Sequence, residues 1–410
     1  MTHVVALLLL ETLAIKAGRV VDPDAGTAAT NQVVIVENGR ISRIDTKVPQ
    51  GARVVDLGNA TVLPGLFDVH SHLCSMVSAR KNAAPIRRNL FSISLVDTTG
   101  LRAIQGVANA RSMLESGFTT VRDVGNAGNY ADTDLRHAIE MGLVPGPTVI
   151  NAGRIIAPFG GQFHLQPEKR GLGEPEYFYA DTHDEMLKAV RENIHFGARV
   201  IKIVMDDQRY IYSREDVRFI VEEAKRWGLK VAAHCVSDAG CRNAAQGGVA
   251  SCEHVWNVND ETLKIIKQSG AVFVPTDEIE RHGAEGVPDA RAQESYRRQL
   301  ARLKRAHALG LTATMAYGTD TAFDIDDHTR GEFSIACTKP FAEAGISARV
   351  VLKAMTANAA RLCGIEKDRG ALRPGMAADL IATTGNPLDD IAALEHVVFV
   401  MKDGKIFKSR

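Results

Sequence analysis

Short runs of β-branched and apolar residues alternate with amphipathic helical patterns along the middle of this chain, and this alternation constrains the fold most. Because strand-then-helix repeats build parallel sheets covered by helices, the chain is predicted to be an α/β protein. Eight such units in succession are typical of a (β/α)8 TIM-like barrel, which takes about 250 residues or more. A doubly wound open sheet is the alternative fold. The eight candidate strands are residues 66–69, 119–123, 148–151, 200–204, 230–233, 250–253, 271–274 and 312–316.

The helical patterns between these strands carry boundary signals of their own. Ser213 precedes one of them and Asp216 follows three positions later, which predicts a capping box at its start. A further helix over residues 348–363 would lead from the eighth strand to the C-terminal segment. The clearest helices between strands are predicted over residues 102–115, 184–195 and 214–227.

The two ends of the chain have the pattern of β-structure. Asn38-Gly39 and Asp403-Gly404 are turn signals between neighbouring strands. Because an isolated hairpin is only marginally stable in water, the two ends are predicted to pack together. The expected organisation is a small composite β-sandwich of residues 1–63 and 372–410 beside a barrel of residues 64–371. The end strands are predicted at residues 12–21, 32–37, 40–45, 378–382, 396–401 and 405–408.

The overall composition excludes several classes of protein. The 410 residues are 45% hydrophobic, and 49 basic side chains cancel 49 acidic ones. The chain is therefore globular, without the basic surface that nucleic acid or an anionic membrane requires. The longest apolar run near the start, residues 4–10, is much shorter than the roughly 20 residues of a membrane span. It lacks a basic flank and a cleavage site, which favours a ragged start or a first strand over a signal peptide.

Cysteine usage bears on the cellular compartment. The six cysteines form no CxxC pair and no dense framework, which is typical of reduced, buried thiols. The predicted location is therefore cytoplasmic, and a chain from which a secretion signal has been removed is the alternative.

Histidines and one aspartate fall at the ends of the predicted strands. His70 and His72 end the first strand, and because side chains alternate along a strand, both point to one face. His234 ends the fifth strand, His254 ends the sixth, and Asp320 follows the eighth. In a parallel barrel these ends meet at the face where active sites lie. An isolated HxH pair is common on half-buried strands, but this set at the ends of four strands predicts a metal site.

Lys202 lies in the middle of the apolar fourth strand. A buried lysine without a partner is costly, so this one must be neutral, paired or chemically altered. A salt bridge is one interpretation. The other is that the neutral amine adds carbon dioxide to form a carbamate, whose two oxygens bridge two divalent ions.

Together with these residues, four further motifs resemble those of the amidohydrolase superfamily. They are IKAGRVVD at residues 15–22, GFTTVRD at 117–123, TANAAR at 356–361 and GMAADL at 375–380. The chain is similar over essentially its whole length to the branch that contains imidazolonepropionase-like proteins and the metal-dependent Xaa-Pro and Xaa-Arg dipeptidases. Ochratoxin-hydrolysing amidases are relatives of that branch.

The resemblance implies a role for each strand-end residue. Asp320 would act as the proton shuttle in addition to binding metal. The cofactors would be two divalent ions, and zinc is the expected ion, although imidazole and carboxylate ligands also accept manganese, cobalt or iron. The implied ligands are His70 and His72 on the more buried ion, His234 and His254 on the second, Lys202 as a bridging N6-carboxylysine, and Asp320 on the first.

The implied activity is hydrolysis of an amide bond in a small molecule, such as a dipeptide or an N-acyl amino acid, by a hydroxide that bridges the two ions. A mononuclear cyclic-amide hydrolase or deaminase of the same fold is the alternative enzyme. Lys202 argues against it, and the deaminases carry a glutamate three residues after the fifth-strand histidine, where this chain has Ser237. The remaining alternative is a non-catalytic barrel, but such proteins lose metal ligands that are all present here.

The loops around the predicted site depart from the dipeptidase pattern, so a different substrate pocket is expected. His164, two residues beyond the usual position after the third strand, is a candidate substrate contact. Arg209, Tyr210 and Tyr212 follow the fourth strand, where they either hold a carbonyl or carboxylate or are ordinary loop residues.

Two further expectations concern charged residues and partners. Arg122 and Asp123 are expected to take part in an internal ion pair, and the acidic residues 324–328 either line the pocket or are simply exposed. The expected partner is a small-molecule substrate, with neither nucleic acid nor membrane, and the resemblance implies a homo-oligomer.

Overall fold

A computed structural model describes residues 12–279 and 290–409. Within these ranges no helix combines the length and apolarity that crossing a membrane requires. The predicted strand or ragged start at residues 4–10 lies outside the described residues. The strands are β1 Leu13–Asp22, β2 Thr27–Glu37, β3 Arg40–Asp45, β4 Arg53–Asp56, β5 Thr61–Pro64, β6 Leu66–Ser71, β7 Val77–Ser78, β8 Phe118–Asp123, β9 Thr148–Asn151, β10 Ile155–Ala157, β11 Tyr177–Tyr179, β12 Ile201–Val204, β13 Val231–Ser237, β14 Ser251–Asn257, β15 Val272–Val274, β16 Phe323–Asp324, β17 Leu380–Thr383, β18 Val397–Lys402 and β19 Lys405–Ser409.

The helices lie mostly between the strands of the middle segment. The α-helices are α1 Leu90–Val96, α2 Thr99–Glu115, α3 Ala131–Glu140, α4 His183–His195, α5 Arg214–Arg226, α6 Asp238–Gly247, α7 Asp260–Ser269, α8 Ala290–Ala308, α9 Arg330–Ala336, α10 Lys339–Glu343, α11 Ala348–Ala354 and α12 Ala357–Cys363. Short 3₁₀-helices cover Pro85–Arg88, Pro167–Leu172, Leu311–Ala313 and Ile391–His396.

The two chain ends share one eight-stranded sheet. Its order is β19-β18-β17-β5-β1-β2-β3, with β4 added along β1. The junction between the ends is the antiparallel pairing of β5 with β17, where Ile381 faces Leu63. Buried apolar side chains on both sides of this junction, including Val62, Leu380 and Phe399, belong to one cluster. The chain ends therefore form one unit, while folding of this sheet into a sandwich stays a prediction.

The middle of the chain carries two parallel sheets. The smaller has the order β6-β8-β9, and the larger β11-β10-β12-β13-β14-β15. Neither sheet closes into a ring by continuous strand pairing. Isolated backbone bonds join them. The amide of Arg199, just before β12, donates to Asn151 of β9 at 2.7 Å, and the segment at residues 316–317 lies between β15 and β6, where the Ala316 amide donates to Phe273 at 3.1 Å and Tyr317 accepts from Val69 at 2.8 Å. The fold is thus mixed α/β, with β6 parallel to its neighbour β8 in the smaller sheet and β12, β13 and β14 parallel to one another in the larger.

Seven of the eight predicted middle strands are present, and the eighth prediction, residues 312–316, is wrong. A 3₁₀-helix occupies Leu311–Ala313 instead. The Asn358 amide donates to the carbonyls of Ala313 (3.1 Å) and Met315 (2.9 Å), which occupies acceptors that a neighbouring strand would use. Residues 316–321 still run beside β6, with one isolated parallel bridge from Thr321 to Ser71.

The helix predictions are largely observed. α5 begins with a capping box in which Ser213 and Asp216 bond to each other's backbone amides, as predicted. The single helix predicted over 348–363 is two helices, α11 and α12, interrupted at Met355 and Thr356. The cause is tertiary, because the Met355 carbonyl accepts from the Phe67 amide of β6 at 2.8 Å.

Candidate metal centre

Strand β6 brings two imidazoles to one carboxylate. His70 Nε2 lies 3.5 Å from Asp320 Oδ1, and His72 Nε2 lies 3.0 Å from the same oxygen. Both histidines are buried. The alternation of side chains along a strand accounts for their shared face. These three side chains form a group whose ligand atoms all lie within 4.8 Å of one another.

The other ring nitrogen of each histidine is already engaged. His70 Nδ1 lies 2.7 Å from Glu253 Oε2, and His72 Nδ1 lies 2.8 Å from the carbonyl of Gly125. Acceptors at Nδ1 fix the tautomer with the proton on Nδ1 and leave Nε2 with a free lone pair. In the neutral rings both Nε2 lone pairs are therefore available to a metal ion, whereas the 3.0 Å contact of His72 Nε2 with Asp320 Oδ1 is a hydrogen bond only when that nitrogen carries a proton.

Glu253 is buried between His70 and an arginine. The Arg122 guanidinium donates to Glu253 Oε1 at 2.8 Å and to Ser251 Oγ at 3.1 Å. Burial alone would raise the pKa of Glu253, but Arg122 and His70 lower it to about 2. The expected internal ion pair thus exists for Arg122, with Glu253 as its partner. Asp123 instead accepts from the Leu73 amide at 2.8 Å.

Lys202 on β12 is buried, and no carboxylate of the described ranges lies within ion-pair distance of its amine. Its Nζ lies 3.5 Å from His70 Nε2. Burial lowers the pKa of Lys202 to about 8, although Glu253 and Asp320 oppose that shift through their charges. The salt bridge that was one interpretation of this lysine is therefore absent from the described part of the chain.

His234 lies in the middle of β13 and His254 in the middle of β14, since both strands extend beyond their predicted ends, and the ring centroids are 4.4 Å apart. The His254 ring also lies 4.8 Å from the His70 ring, and its Nδ1 is 3.7 Å from Asp320 Oδ2. Thr276 holds His254 through a hydrogen bond of 2.8 Å between Oγ1 and Nδ1. The six predicted ligand positions are thus neighbours at one end of the parallel strands.

His234 differs from the other histidines in its contacts. Its Nε2 lies 2.9 Å from Asp207 Oδ2, but the alignment is not that of a hydrogen bond, and this buried nitrogen has no hydrogen-bond partner. Asp207 and the preceding Asp206 form a second group with His234 that is compact enough for a cation. Asp206, however, is bonded to the last residues of β13, where it accepts from the amides of Val236 and Ser237.

Left-handed backbone conformations cluster around these side chains. Non-glycine residues with positive φ include His254 (70°), Thr276 (53°) and Asp320 (55°). Such conformations cost free energy and persist where tertiary contacts impose them, often at functional sites. At His254 the turn interrupts the strand alternation, so that Glu253 and His254 both approach His70.

The donor atoms fit a metal centre. His234 Nε2 is buried beside Asp207 without a hydrogen bond, and the Nε2 atoms of His70 and His72 face Asp320 with their Nδ1 atoms bonded elsewhere. Neutral imidazoles oriented by such acceptors, together with a carboxylate, are ligands of zinc and related divalent ions. His70, His72 and Lys202 hold the pKa of Asp320 well below its usual range, although burial alone would raise it.

A cavity of about 670 Å³ opens above this group. His164 is among its lining residues, as expected of a substrate contact. Two aromatic side chains of its wall, Phe91 and Phe163, pack against each other with ring centroids 5.0 Å apart. The lining comprises His70, His72, Lys202, His234, His254, Asp207 and Asp320 with Val77, Arg88, Asn89, Leu90, Phe91, Asn126, Ile155, Gln162, Phe163, His164, Trp256, Ala322 and Phe323.

Three predicted substrate contacts do not reach this cavity. Tyr212 is fully buried, and its hydroxyl donates to the carbonyl of Ala180 at 2.7 Å. The exposed Tyr210 donates to Asp216 at 3.1 Å, beside the start of α5. Arg209 is exposed and absent from the lining. The loop after β12 turns these side chains away because the capping box of α5 and the Tyr212 bond anchor it.

The acidic residues 324–328 also lie outside the cavity lining. Asp324 pairs with Arg80 at 2.7 Å, and Asp326 accepts from the amide of Lys81 at 2.9 Å. The interpretation of this loop as a pocket wall is therefore not supported. Two residues that the sequence analysis did not single out belong to the site. Glu253 orients His70, and Asp207 lines the cavity. Their only signals in the sequence were the place of Glu253 directly before His254 and that of Asp207 five residues after Lys202.

Comparisons with known proteins agree with this geometry. A family profile described as the amidohydrolase family matches residues 61–407. The chain is 29% identical to ochratoxinase of Aspergillus niger over 384 residues, which cover 85% of this chain and 75% of that protein. It is also similar to a solved Xaa-Pro dipeptidase with bound methionine in the active site, with a TM-score of 0.83 and 27% identity over 97% of this chain and 100% of the other. The crystal structure of A. niger ochratoxinase gives a TM-score of 0.80 at 26% identity, covering 98% and 96%.

Proposed function

The chain belongs to the amidohydrolase family, whose enzymes include relatives that act on amide C–N bonds, and from that premise we propose that it is a binuclear metal-dependent hydrolase. Its substrate would be a small molecule with an amide bond, such as a dipeptide or an N-acyl amino acid. The names of the relatives, ochratoxinase and Xaa-Pro dipeptidase, support this class.

One observation carries the proposal. Lys202 Nζ and Asp320 Oδ1 each lie 3.5 Å from the same atom, His70 Nε2, at the base of a cavity of about 670 Å³. A buried lysine without an ion pair, next to an imidazole with a free lone pair, is poorly explained as a structural element. It is well explained if Lys202 is carboxylated and bridges two ions.

The proposed assignment of ligands follows the strand ends. His70, His72 and Asp320 would hold the first ion, and His234 and His254 the second. Asp207 lies beside His234 and is not needed in this assignment. The expected ions are zinc, given the imidazole-rich ligand set.

When bound, two divalent ions would lower the pKa of a water molecule and polarise the scissile carbonyl. Asp320 would take the proton from the attacking water and deliver it to the leaving nitrogen, because its side chain is partly exposed to the cavity. His164 would contact the substrate from the cavity wall, and the aromatic pair Phe91 and Phe163 would exclude water from one side.

We also propose that the middle strands form a (β/α)8-type barrel over residues 64–371, with the chain ends as a separate β-domain. Backbone hydrogen bonds at two places support closure of the barrel. The amides of Arg199 and Val200 reach Asn151 of β9, and residues 316–321 bridge β15 and β6 through the amides of Ala316 and Val69. An irregular segment would then replace the eighth strand.

The experiment that tests the function is metal content by elemental analysis, on protein grown with bicarbonate. We expect about two equivalents of divalent metal in the parent protein and a clear loss in Lys202→Ala. Lys225→Ala, on the exposed face of α5, is the matched control and should retain the parental content. A panel of dipeptides and N-acyl amino acids would then be hydrolysed by the parent and the control only.

One equivalent or less in the parent, unchanged by Lys202→Ala, would exclude the bridged pair. That result would favour a mononuclear hydrolase that uses the compact group of His70, His72 and Asp320, and ring amides would be the next substrates to assay.

A further inference from the structure

We propose that Arg88 binds a free carboxylate of the substrate, so that the enzyme prefers N-acyl amino acids and dipeptides over uncharged amides. This inference rests on the proposed function and names the substrate class of the same site. It is carried by the position of Arg88 in the cavity and by the contacts of its guanidinium group.

Arg88 reaches the cavity from the segment between β7 and α1. It is the last residue of the 3₁₀-helix Pro85–Arg88, and it lines the same cavity as His70 and Lys202. The following residues, Leu90 and Phe91, line that cavity too. This segment therefore forms part of the wall above the candidate metal ligands.

Backbone carbonyls hold the guanidinium group in place. Arg88 Nε donates to the carbonyl of Ala83 at 3.0 Å, and one terminal nitrogen donates to that of Lys81 at 2.7 Å. Carbonyls orient the group without neutralising its charge. The same terminal nitrogen also lies 3.5 Å from the carbonyl of Arg80, so the other terminal nitrogen is the one left to donate to an anion. An arginine fixed in this way loses little conformational entropy when it binds that anion.

Neighbouring arginines of the same segment are paired with carboxylates, and Arg88 is not. Arg80 lies 2.7 Å from Asp324, and Arg87 lies 2.6 Å from Asp97. For Arg88, no carboxylate of residues 12–279 and 290–409 lies within ion-pair distance. The arginine that lines the cavity is thus the one whose charge is not neutralised.

The acids of the cavity are engaged elsewhere. Asp207 accepts from Gln162 at 2.9 Å and lies equally close to His234, and Asp320 contacts His72 at 3.0 Å. Arg88 is therefore a cation without a carboxylate partner among the described residues, and an anionic group of the substrate would supply that partner. Phe91 and Phe163 on the adjacent wall suit an apolar side chain or acyl group.

The test is equilibrium binding of two probes without an amide bond, N-benzyl-L-phenylalanine and the corresponding alcohol N-benzyl-L-phenylalaninol, to the metal-loaded protein by calorimetry. The variants are Arg88→Gln, Arg88→Lys and, as the matched control, Arg80→Gln from the same segment. A charge-assisted contact with Arg88 predicts that the parent and Arg80→Gln bind the carboxylate probe about tenfold to a hundredfold more tightly than the alcohol. Arg88→Gln should remove this preference, and Arg88→Lys should retain part of it.

Two results would overturn the inference. One is equal affinity of the parent protein for both probes, a test that needs no variant and holds even if Arg88→Gln fails to fold. The other is a preference that survives in Arg88→Gln. A preference that depends on Arg88, in a protein that hydrolyses no N-acyl amino acid or dipeptide, would uphold the anion subsite and refute the proposed reaction.

Discussion

At the scale of single residues, the candidate site depends on which nitrogen of each imidazole is free. His70, His72 and His254 all have Nδ1 within 2.8 Å of an oxygen, on Glu253, Gly125 and Thr276. The carboxylate of Glu253 and the carbonyl of Gly125 accept, which sets the tautomers of His70 and His72, whereas the Thr276 hydroxyl fixes the orientation of the His254 ring. The site is therefore organised by residues that would not themselves touch metal or substrate.

Glu253 provides the sharpest test at this scale. Glu253→Gln is expected to weaken metal affinity about tenfold to a hundredfold, because the amide is a weaker acceptor for His70 Nδ1. It should also destabilise the fold by about 3–5 kcal/mol, since Arg122 is left buried without its partner. Metal affinity is measured by competition with a chelating dye, and stability by denaturant unfolding.

Glu176→Gln is the matched control. Glu176 is likewise a buried glutamate paired with a buried arginine, Arg102, but it contacts none of the candidate ligands. It should lose a similar amount of stability while metal affinity stays at the parental value. Equal losses of affinity in both variants would show that Glu253 acts through general stability and not through His70.

At the scale of elements, helix α8 supports the irregular end of β14. Arg302 on α8 is buried, and its guanidinium donates to the backbone carbonyls of His254 and Pro275 and to Asp277. Burial raises the pKa of Asp277 to about 7 in spite of this partner. Arg302 thus stabilises the backbone at His254 and on both sides of Thr276, two of the residues with positive φ.

Arg302→Met is predicted to cost about 3–5 kcal/mol of unfolding free energy, because it leaves Asp277 buried without a partner. The double variant Arg302→Met with Asp277→Asn should recover part of that loss. Both variants should bind less than the parental two equivalents of metal, since the His254 backbone loses its support. Denaturant unfolding and elemental analysis are the measurements. A double variant as unstable as the single one would contradict the ion-pair explanation.

At the scale of the whole molecule, the β1–β2 turn docks the terminal sheet onto the helices that follow residue 347. Asp24 in this turn lies 3.0 Å from both Lys353 of α11 and Arg361 of α12. Arg349 donates to the carbonyl of Gly26 at 2.6 Å. This contact joins the two parts of the fold through charged groups, so its strength depends on pH.

Asp24→Asn is predicted to lower stability by about 1 kcal/mol at pH 7, a modest value because the pair is partly exposed. The hydrogen bond with Arg361 lowers the pKa of Asp24 from 3.8 to about 2. The contribution is therefore complete above pH 3.8 and is lost as the pH falls through 2. The difference in unfolding free energy between parent and variant, measured from pH 7 to 2, should shrink accordingly.

Asp56→Asn serves as the comparison, because Asp56 pairs with Lys16 within the terminal sheet and does not link it to the helices. Its effect should be smaller than that of Asp24→Asn. A difference for Asp24→Asn that stays constant down to pH 2 would show that the carboxylate charge does not hold this contact.

Features that local chemistry controls could be predicted from the residues alone. Hydrophobic period, turn residues and caps predicted the strand and helix order, the β-structure of both ends and the capping box at Ser213. The alternation along β6 was sufficient to place His70 and His72 on one face, since that geometry is a property of any strand.

Contacts distant in sequence account for the remaining features. His70 and Glu253 are 183 positions apart, and Asn358 donates to the carbonyls of Ala313 and Met315 in the segment where the eighth strand was expected. The same holds for the cavity wall, where Arg88 lines the site while Tyr212 is bonded into the core. Sequence patterns report how a segment repeats, whereas these outcomes depend on which distant donor or acceptor satisfies a buried group.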